Sequence, residues 1–426
     1  MENKKVRFEK YNIRKNKGIT LIALVITIIV LLILAGVSIA MLTGDNWILT
    51  QAKSAKENTE AAKEDEENKL ASTNEYINEQ LGNAVPGKVV TETRKDNYVD
   101  NNGDKATVPA GFSIDETENI ISKGLVVHGS DKANGDNGSE FVWVPVPDIN
   151  SMAQCSTAGG ECNLQLESGI LKCKTHNNEE IVGKLYATTH DGESFGVINT
   201  EYNPNNGLRE PAYLSNLGCG DESIHNTIGL TFSNMQKDYK NMVTSVIKYG
   251  GFYVGRYETS LSNATINEAK DGEIQSKAGV IPTSANNTAT YTWYGLYKAQ
   301  YKTYKGMNDS VESSMIWGSQ YDRILNWVEE GENETEKDKI KNTSLGNTSN
   351  KTIETTGNNK NSEDNIKNIR DLGGNIYEWT LEAWNDGVRV GRGGSYGHEH
   401  SPSFRHIQRP DETFSDDGSR MTLYIK

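Results

Sequence analysis

Asn368-Ile-Arg-Asp-Leu-Gly-Gly-Asn-Ile-Tyr-Glu-Trp-Thr380 carries the strongest structural signals in this chain of 426 residues. It is followed by Arg389-Val-Gly-Arg-Gly-Gly-Ser-Tyr396 and, at the end of the chain, by Gly418-Ser-Arg-Met-Thr-Leu-Tyr-Ile425. The paired glycines allow backbone conformations that a Cβ atom would penalise. The large rings of Trp379 and Tyr396 can anchor a domain that has few aliphatic side chains. This pattern predicts a loop-rich domain pinned by aromatic residues.

Two runs further upstream extend the pattern, Phe141-Val-Trp-Val-Pro145 and Gly251-Phe-Tyr-Val-Gly-Arg-Tyr-Glu258. Together the five motifs resemble the formylglycine-generating-enzyme/sulfatase-modifying-factor superfamily over about residues 108–426. The resemblance implies a mixed α+β domain with the C-type-lectin-like fold, which insertions interrupt at about 150–230 and 329–368. The runs between the motifs also predict helices over Phe232–Tyr249 and Met315–Val328.

The same resemblance argues against the family's oxidase chemistry. The oxidase members bind copper through a pair of cysteines shortly after the Arg-Gly-Gly-Ser-aromatic motif. Here the segment Tyr396–Phe404 contains no cysteine, and His398 and Ser403 occupy the two positions. We therefore expect no copper, no catalytic residue and no enzyme. A metal-dependent enzyme of the superfamily is the least favoured alternative.

The resemblance also implies a structural Ca²⁺ site. In the family, side chains at the positions of Asp371 and Glu378 and carbonyl groups at the positions of Gly374 and Ile376 bind the ion. Oxygen ligands of this kind suit calcium. The alternative is that Glu378 caps a turn or pairs with an arginine.

Recognition on such folds depends on loops that a rigid scaffold carries. The resemblance therefore implies a ligand surface on the loops between Tyr396 and Ser419, and the ligand is a protein or a glycan. The frame also resembles the variable proteins of diversity-generating retroelements, which diversify this region. The side chains that we nominate for the surface are Tyr396, His398, His400, Phe404, His406 and Arg409.

Four cysteines lie in the first insertion: Cys155, Cys162, Cys173 and Cys219. An exported domain permits disulfides, and four cysteines allow three pairings. Their spacing does not match paired Cys-x-x-Cys zinc ligands, and free thiols stay an alternative.

The segment Ile19–Leu42 contains no charged residue. As a helix of 24 residues it would be about 36 Å long, enough to span a bilayer. The preceding segment has a net charge of +5, which favours a cytoplasmic N-terminus and an external C-terminal domain. A buried core helix or a secretory signal peptide fits this long apolar run less well.

The junction Lys17-Gly18-Ile19 with its apolar helix resembles the N-terminus of bacterial type IV prepilins. The resemblance implies cleavage between Gly18 and Ile19 by a prepilin peptidase, methylation of Ile19, and packing with other pilin-like subunits. The family usually has Phe and Glu where this chain has Ile19 and Ala23. A minor or tip subunit, or a pilin-like membrane anchor, fits this departure better than a bulk filament subunit.

These observations predict five segments: a leader over 1–18, a transmembrane helix over 19–42, a helical stem over 43–83, a linker over 84–107 and the domain over 108–426. The net charge of −14 argues against nucleic acid as a partner. We expect a non-catalytic binding protein at the bacterial membrane and cell surface or pilus. The alternative is a structural minor pilin or pseudopilin that initiates or caps a filament.

Overall fold

A computed structural model describes most of the chain, in segments. The described residues are 21–43, 47–129, 138–149, 156–157, 160–161, 164–167, 170–173, 232–261, 274–282, 292–301, 309–348, 350–358, 364–383 and 388–426. The helices among them are α1 Leu21–Thr43, α2 Trp47–Leu81, α3 Phe232–Tyr249, α4 Trp293–Gln300, α5 Gly318–Glu330 and α6 Glu334–Lys339, with a 3₁₀ turn at Ile121–Lys123. The strands are β1 Tyr98–Val99, β2 Lys105–Ala106, β3 Ser113–Ile114, β4 Val126–His128, β5 Glu140–Pro145, β6 Ser156–Thr157, β7 Gly160–Glu161, β8 Leu164–Glu167, β9 Ile170–Cys173, β10 Gly251–Gly255, β11 Thr259–Leu261, β12 Ile274–Ser276, β13 Val311–Met315, β14 Tyr377–Ala383, β15 Arg389–Arg392, β16 Arg405–Gln408, β17 Asp417–Ser419 and β18 Met421–Ile425.

The chain divides into two compact units, Met1–Tyr76 and Ile77–Lys426. The first contains α1, whose side chains are described and exposed over 22–37. Within the described residues, no helix is long and apolar enough to cross a membrane. The transmembrane helix over Ile19–Leu42 therefore stays a prediction.

The helix α2 lies within the segment 43–83 that the sequence predicts as a helical stem, and its role as a stem stays a prediction. Its sequence is rich in residues with high helix propensity, and exposed ion pairs at i, i+4 such as Lys53–Glu57 and Lys56–Glu60 support it weakly. Leu70 is also exposed on α2.

The second unit is mixed α+β, as the sequence predicts, and is built on a six-stranded sheet of order β13-β18-β10-β5-β4-β3. Successive residues of its central strands point to opposite faces. Val142 and Val254 therefore enter one core with the helices α3 to α5, while Phe141 and Tyr253 enter a second core on the other face. Burial on both faces explains why these strands read as continuous apolar runs.

Both predicted helices of this unit are present. The helix α3 has the predicted bounds, Phe232–Tyr249. The second predicted helix begins later than expected, because the residues up to Met315 form the strand β13 beside β18. The strand β13 pairs with β18 from Val311 to Met315, and α5 begins at Gly318.

The predicted linker over 84–107 is wrong. Ala84, Val90 and Tyr98 are buried in the second core, and β1 pairs with β2 inside this segment. The segment is mostly polar, but a few apolar residues spaced along it pack into the core. Likewise, the segment 329–368 is not a loose insertion in its described part, because Ile340 and Leu345 are buried in the first core.

A smaller sheet of order β16-β15-β14-β17 contains parts of the three C-terminal motifs, and the end of the third motif forms β18 of the six-stranded sheet. Strand β14 pairs antiparallel with β15 and parallel with β17, and β15 pairs antiparallel with β16. Beyond this sheet lie the loops that the sequence nominates for ligand binding.

Candidate functional site

One face of the smaller sheet carries the side chains of Trp379 and His406. Both residues pair with Gly391 of the intervening strand β15, Trp379 from β14 and His406 from β16, so their side chains share a face. Tyr377 lies two residues before Trp379 and pairs with Asp417 of β17. His406, Tyr377 and Asp417 therefore lie on the same face of the sheet.

Aromatic rings from the neighbouring loop complete a cluster around Tyr377. The His406 ring stacks on the Tyr377 ring with centroids 4.5 Å apart and an interplanar angle of 13°. The Tyr377 hydroxyl lies 2.6 Å from Nδ1 of His400, whose ring stacks on Phe404 at 3.7 Å. His398 is the outermost ring, 6.2 Å from that of His400.

Asp416 and Ser395 hold His398. The Ser395 hydroxyl donates to Oδ2 of Asp416 at 2.8 Å and lies 3.0 Å from Nδ1 of His398. The same Nδ1 lies 3.1 Å from Oδ2 of Asp416. A serine-protease relay places the hydroxyl and the carboxylate on opposite nitrogens of the imidazole. Here both groups share one nitrogen, so this trio fixes the ring and does not form that relay.

We refer to Tyr377, Ser395, His398, His400, Phe404, His406, Asp416 and Asp417 as the histidine cluster. Burial lowers the pKa of His406 to about 4 and also lowers the pKa of His400. Burial, followed by the charges of Asp416 and Asp417, raises the pKa of the Tyr377 hydroxyl. Tyr377, His400 and His406 are consequently uncharged at neutral pH.

Asp417 is a buried member of this cluster, with 3% of its surface exposed. Among the described residues, neither of its carboxyl oxygens has a hydrogen-bond partner. Burial raises its pKa well above the ordinary value, and the neighbouring charge of Asp416 raises it further. This environment therefore favours the protonated form of Asp417.

On the opposite face of β14, Glu378 has an arginine partner. Nε of Arg420 donates to the Glu378 carboxylate at 2.9 Å, and both side chains are fully buried. Arg420 also donates to the carbonyl oxygens of Gly255, at 2.9 Å, and of Arg370, at 2.7 Å. The guanidinium supplies the charge that a calcium ion would otherwise give to Glu378, which is the alternative that the sequence left open.

The carboxyl group of Asp371 is also engaged. It accepts a hydrogen bond from the backbone N–H of Gly357 at 2.8 Å. Asp371 is paired with Asp364, and burial together with the Asp371 charge raises the pKa of Asp364 to about 7. The structure describes no group of three or more His, Cys, Asp or Glu side chains arranged for a metal ion. Calcium at Asp371, Gly374, Ile376 and Glu378 stays a prediction.

A second set of buried charged side chains connects the smaller sheet with the helix α5. Arg392 of β15 lies 2.9 Å from Asp322 of α5, and Arg405 of β16 contacts both Asp322 and Glu382. All four side chains are almost fully buried. This network ties the strands beneath the histidine cluster to α5, so the cluster is carried by a rigid base.

The nominated binding residues differ in accessibility. His398 is well exposed, with 59% of its side chain accessible, whereas Phe404 is buried under His400. The Tyr396 hydroxyl donates to Ser415 at 3.0 Å, and the exposed Arg409 lies 2.9 Å from Asp411. Phe404 therefore supports the surface, while His398, Tyr396 and Arg409 can meet a ligand.

The sequence did not identify Tyr377, Ser395, Asp416 or Asp417 as members of this site. Tyr377 and Trp379 flank Glu378 along a strand, so a period of two predicts that the two rings share one face of the sheet. That pattern could have placed Tyr377 on the same face as the binding loops. The doublet Asp416-Asp417 just before the last motif was a second available signal.

Several predicted residues lie outside the described part of the chain. These are the leader junction Gly18–Ile19 and three of the cysteines, Cys155, Cys162 and Cys219. Cys173 ends the strand β9, whose side chains are not described. Cleavage and disulfide pairing stay predictions.

Comparisons with known proteins add no family assignment. No family model and no curated protein matches the chain. Among solved structures, the match with CarF covers 41% of this chain and 87% of CarF, with 15% sequence identity and a TM-score of 0.27. Treponema denticola variable protein 1 is similar to 42% of this chain over 85% of its own length, at 14% identity and a TM-score of 0.24. Likeness at this level supports no argument about function.

Proposed function

We propose that this chain is a non-catalytic binding protein of the bacterial cell surface. A pilin-like N-terminal helix anchors it, and a C-type-lectin-like domain binds an extracellular ligand through the histidine cluster and the loops around it. The observation that carries this proposal is the cluster itself, which places the exposed His398 ring beside the partly exposed Asp416 carboxylate at the edge of a sheet. Binding sites commonly combine mobile loops with a rigid scaffold in this way.

The support beneath the cluster favours binding that needs no rearrangement of the scaffold. Buried ion pairs connect the strands that carry His406 and the preceding loop. They are formed by Asp322, Glu382, Arg392 and Arg405. A rigid base reduces the entropy that is lost when a ligand binds. The loop residues His398 and Tyr396 then provide the side chains that contact the ligand.

The arrangement of polar groups favours binding over catalysis. Ser395 is buried and shares Nδ1 of His398 with Asp416, so the serine hydroxyl has no separate base. The copper-cysteine positions of the resembled oxidases hold His398 and Ser403. Ser403 is buried and lies 2.9 Å from the Ser401 hydroxyl, as expected for a structural residue.

The anchor is supported by the sequence of the N-terminal segment. The uncharged run Ile19–Leu42 follows a basic leader and a prepilin-like Lys17-Gly18-Ile19 junction. N-terminal sequencing of the mature protein tests this part. We expect a methylated Ile19 at the new N-terminus, and an intact Met1 would contradict prepilin processing and leave a plain signal anchor.

A structural minor pilin is the second candidate, and Ala23 favours it. In pilins a glutamate at this position is thought to pair with the N-terminal amine of a neighbouring subunit, and a tip subunit does not need that pair. Immunogold electron microscopy of intact cells separates the two functions when it is combined with ligand capture. Labelling confined to filament tips, with no effect of substituting His398 and Tyr396 on any binding activity of the cells, would contradict our proposal and support the structural one.

A further inference from the structure

The histidine cluster contains a buried acid whose charge has no counter-ion. Asp417 is 3% exposed and has no hydrogen-bond partner among the described residues. Its neighbour Asp416 is 15% exposed in its side chain and reaches the surface beside His398. Two adjacent carboxylates with little access to water disfavour each other's ionised form. In the free protein, Asp417 therefore holds a proton.

The charges that face Asp417 do not compensate for this. Asp416 is negative, and the rings from the neighbouring elements, Tyr377, His400 and His406, are neutral at pH 7. His398 faces Asp416 from the loop. Glu378, on the opposite face of β14, is already matched by Arg420.

The surrounding loops are also short of positive charge. Between Tyr396 and Ser419 there are two arginines and five acids, which are Glu399, Asp411, Glu412, Asp416 and Asp417. Arg405 is buried against Asp322 and Glu382, and Arg409 is paired with Asp411 and Glu412. The chain as a whole carries a charge of −14. Its field attracts cations to this surface.

The type of cation follows from how the rings are used. Nδ1 of His400 faces the Tyr377 hydroxyl, Nε2 of His406 contacts Gln408, and Nδ1 of His398 lies against Asp416. The described residues provide no metal-binding group. What the cluster offers at its surface is the Asp416 carboxylate beside the exposed His398 ring, and a carboxylate suits the charge-assisted hydrogen bonds of an ammonium or guanidinium group.

We propose that Asp416, with Asp417 behind it, forms a subsite for a lysine or arginine side chain of a partner protein, and that Asp417 releases a proton when the cation binds. This inference rests on the proposed binding function of the loops. Asp416 makes the direct contact, and Asp417 acts through the field. The exchange is balanced: the neutral Asp417 carboxyl loses one proton to the buffer and becomes the counter-charge of the bound cation.

The test uses the full chain in detergent micelles and three short peptides, acetyl-Gly-Lys-Gly-amide, acetyl-Gly-Arg-Gly-amide and the neutral acetyl-Gly-norleucine-Gly-amide. Affinity is measured by NMR titration at pH 7 and pH 9, a range above the ordinary titration of histidine. We expect the two cationic peptides to bind about fivefold more tightly at pH 9, because less work is then needed to remove the Asp417 proton. The norleucine peptide should not bind.

Two variants and one control assign the effect. Asp417→Asn should keep binding but lose the dependence on pH, and Asp416→Asn should weaken binding about tenfold at both pH values. Asp338→Asn removes an exposed acid on α6 and should change nothing. Proton release by the wild type, measured calorimetrically in phosphate and in Tris buffer, should approach one proton per bound peptide, and it decides the question even if Asp417→Asn does not fold.

Several results would overturn the inference. These are pH-independent binding by the wild type, an unchanged pH dependence in Asp417→Asn, or tighter binding of Ca²⁺, Zn²⁺ or a neutral sugar at the same residues. If the peptides do not bind but the loops still cross-link to a ligand on cells, this inference fails and the proposed function survives. If the loops contact no ligand at all, the proposed function fails too.

Discussion

At the scale of single residues, Arg420 of the last motif forms a buried ion pair with Glu378. Removing one member of a buried pair leaves the other charge uncompensated, which typically costs about 3–5 kcal/mol. Arg420→Ala should lower the free energy of unfolding by about that amount in urea denaturation. Arg409→Ala, which removes an arginine that is 50% exposed, is the control and should cost less than about 1 kcal/mol. A small effect for Arg420→Ala would show that Glu378 has another counter-charge.

His406 should make stability depend on pH. Its pKa is about 4 in the folded protein and 6.5 as the ordinary value, so between these values the unfolded state binds more protons. The contribution of His406 to stability is therefore present at pH 7.5 and falls as the pH decreases towards 4. His406→Phe keeps a ring on Tyr377 but cannot titrate.

The measurement compares the two proteins by urea denaturation at pH 7.5 and pH 4.5. The wild type should lose more stability than His406→Phe over this interval. Equal losses would contradict the burial of this imidazole. Because other buried acids titrate in both proteins alike, the difference between them isolates His406.

At the scale of elements, close backbone contact fixes the turn before β14. Gly374 has φ of +80°, and a Cβ added there would lie 2.7 Å from the backbone nitrogen of Asn347. Gly250 has a similar φ of +84° but open space around it. Gly250→Ala should cost only the left-handed penalty of about 1–2 kcal/mol. Gly374→Ala should cost clearly more in thermal or urea unfolding, and equal costs would mean that the Asn347 segment moves aside freely.

The elements also show how far sequence reasoning reaches. The helix over Phe232–Tyr249 was predictable because its 3.6-residue period extends over 18 residues. The run Gly251–Gly255 was predictable because it is a short continuous run of apolar and aromatic residues bounded by glycines. The segment 84–107 was not, because its short strands bury a few apolar residues among many polar ones. Local composition resembles a linker there, and only tertiary packing distinguishes the two.

The candidate site shows the same limit. The sequence nominated His398, His400 and His406 from their position after a motif, and the structure brings them together. The contributions of Tyr377 and Asp417 depend on the register between β14 and β17, strands that are about 40 residues apart in the chain. One sequence does not specify such a parallel pairing.

At the scale of the whole molecule, the two compact units should respond separately to substitution. Proline inside a helix costs about 3 kcal/mol or more and breaks the hydrogen-bond ladder. Glu64→Pro in α2 should therefore lower the helical circular dichroism but leave the unfolding midpoint of the second unit, followed by tryptophan fluorescence, unchanged. Glu64→Ala is the control. A lower midpoint in the proline variant would show that the second unit depends on an intact α2.

We propose that the N-terminal helix anchors the chain and that the loops after β15 bind the ligand. The buried network of Asp322, Glu382, Arg392 and Arg405 ties the strands next to those loops to α5.

Site-specific photo-crosslinking on intact cells tests the central claim most directly. The full chain carries p-benzoylphenylalanine at the exposed Glu399, beside His398, or at the exposed Thr343 on a different loop as the control. After irradiation and extracellular protease treatment, we predict an externally accessible adduct that forms from position 399 and not from position 343. No adduct at 399, equal adducts at both positions, or protection of the chain from external protease would contradict a surface protein that binds through the histidine cluster.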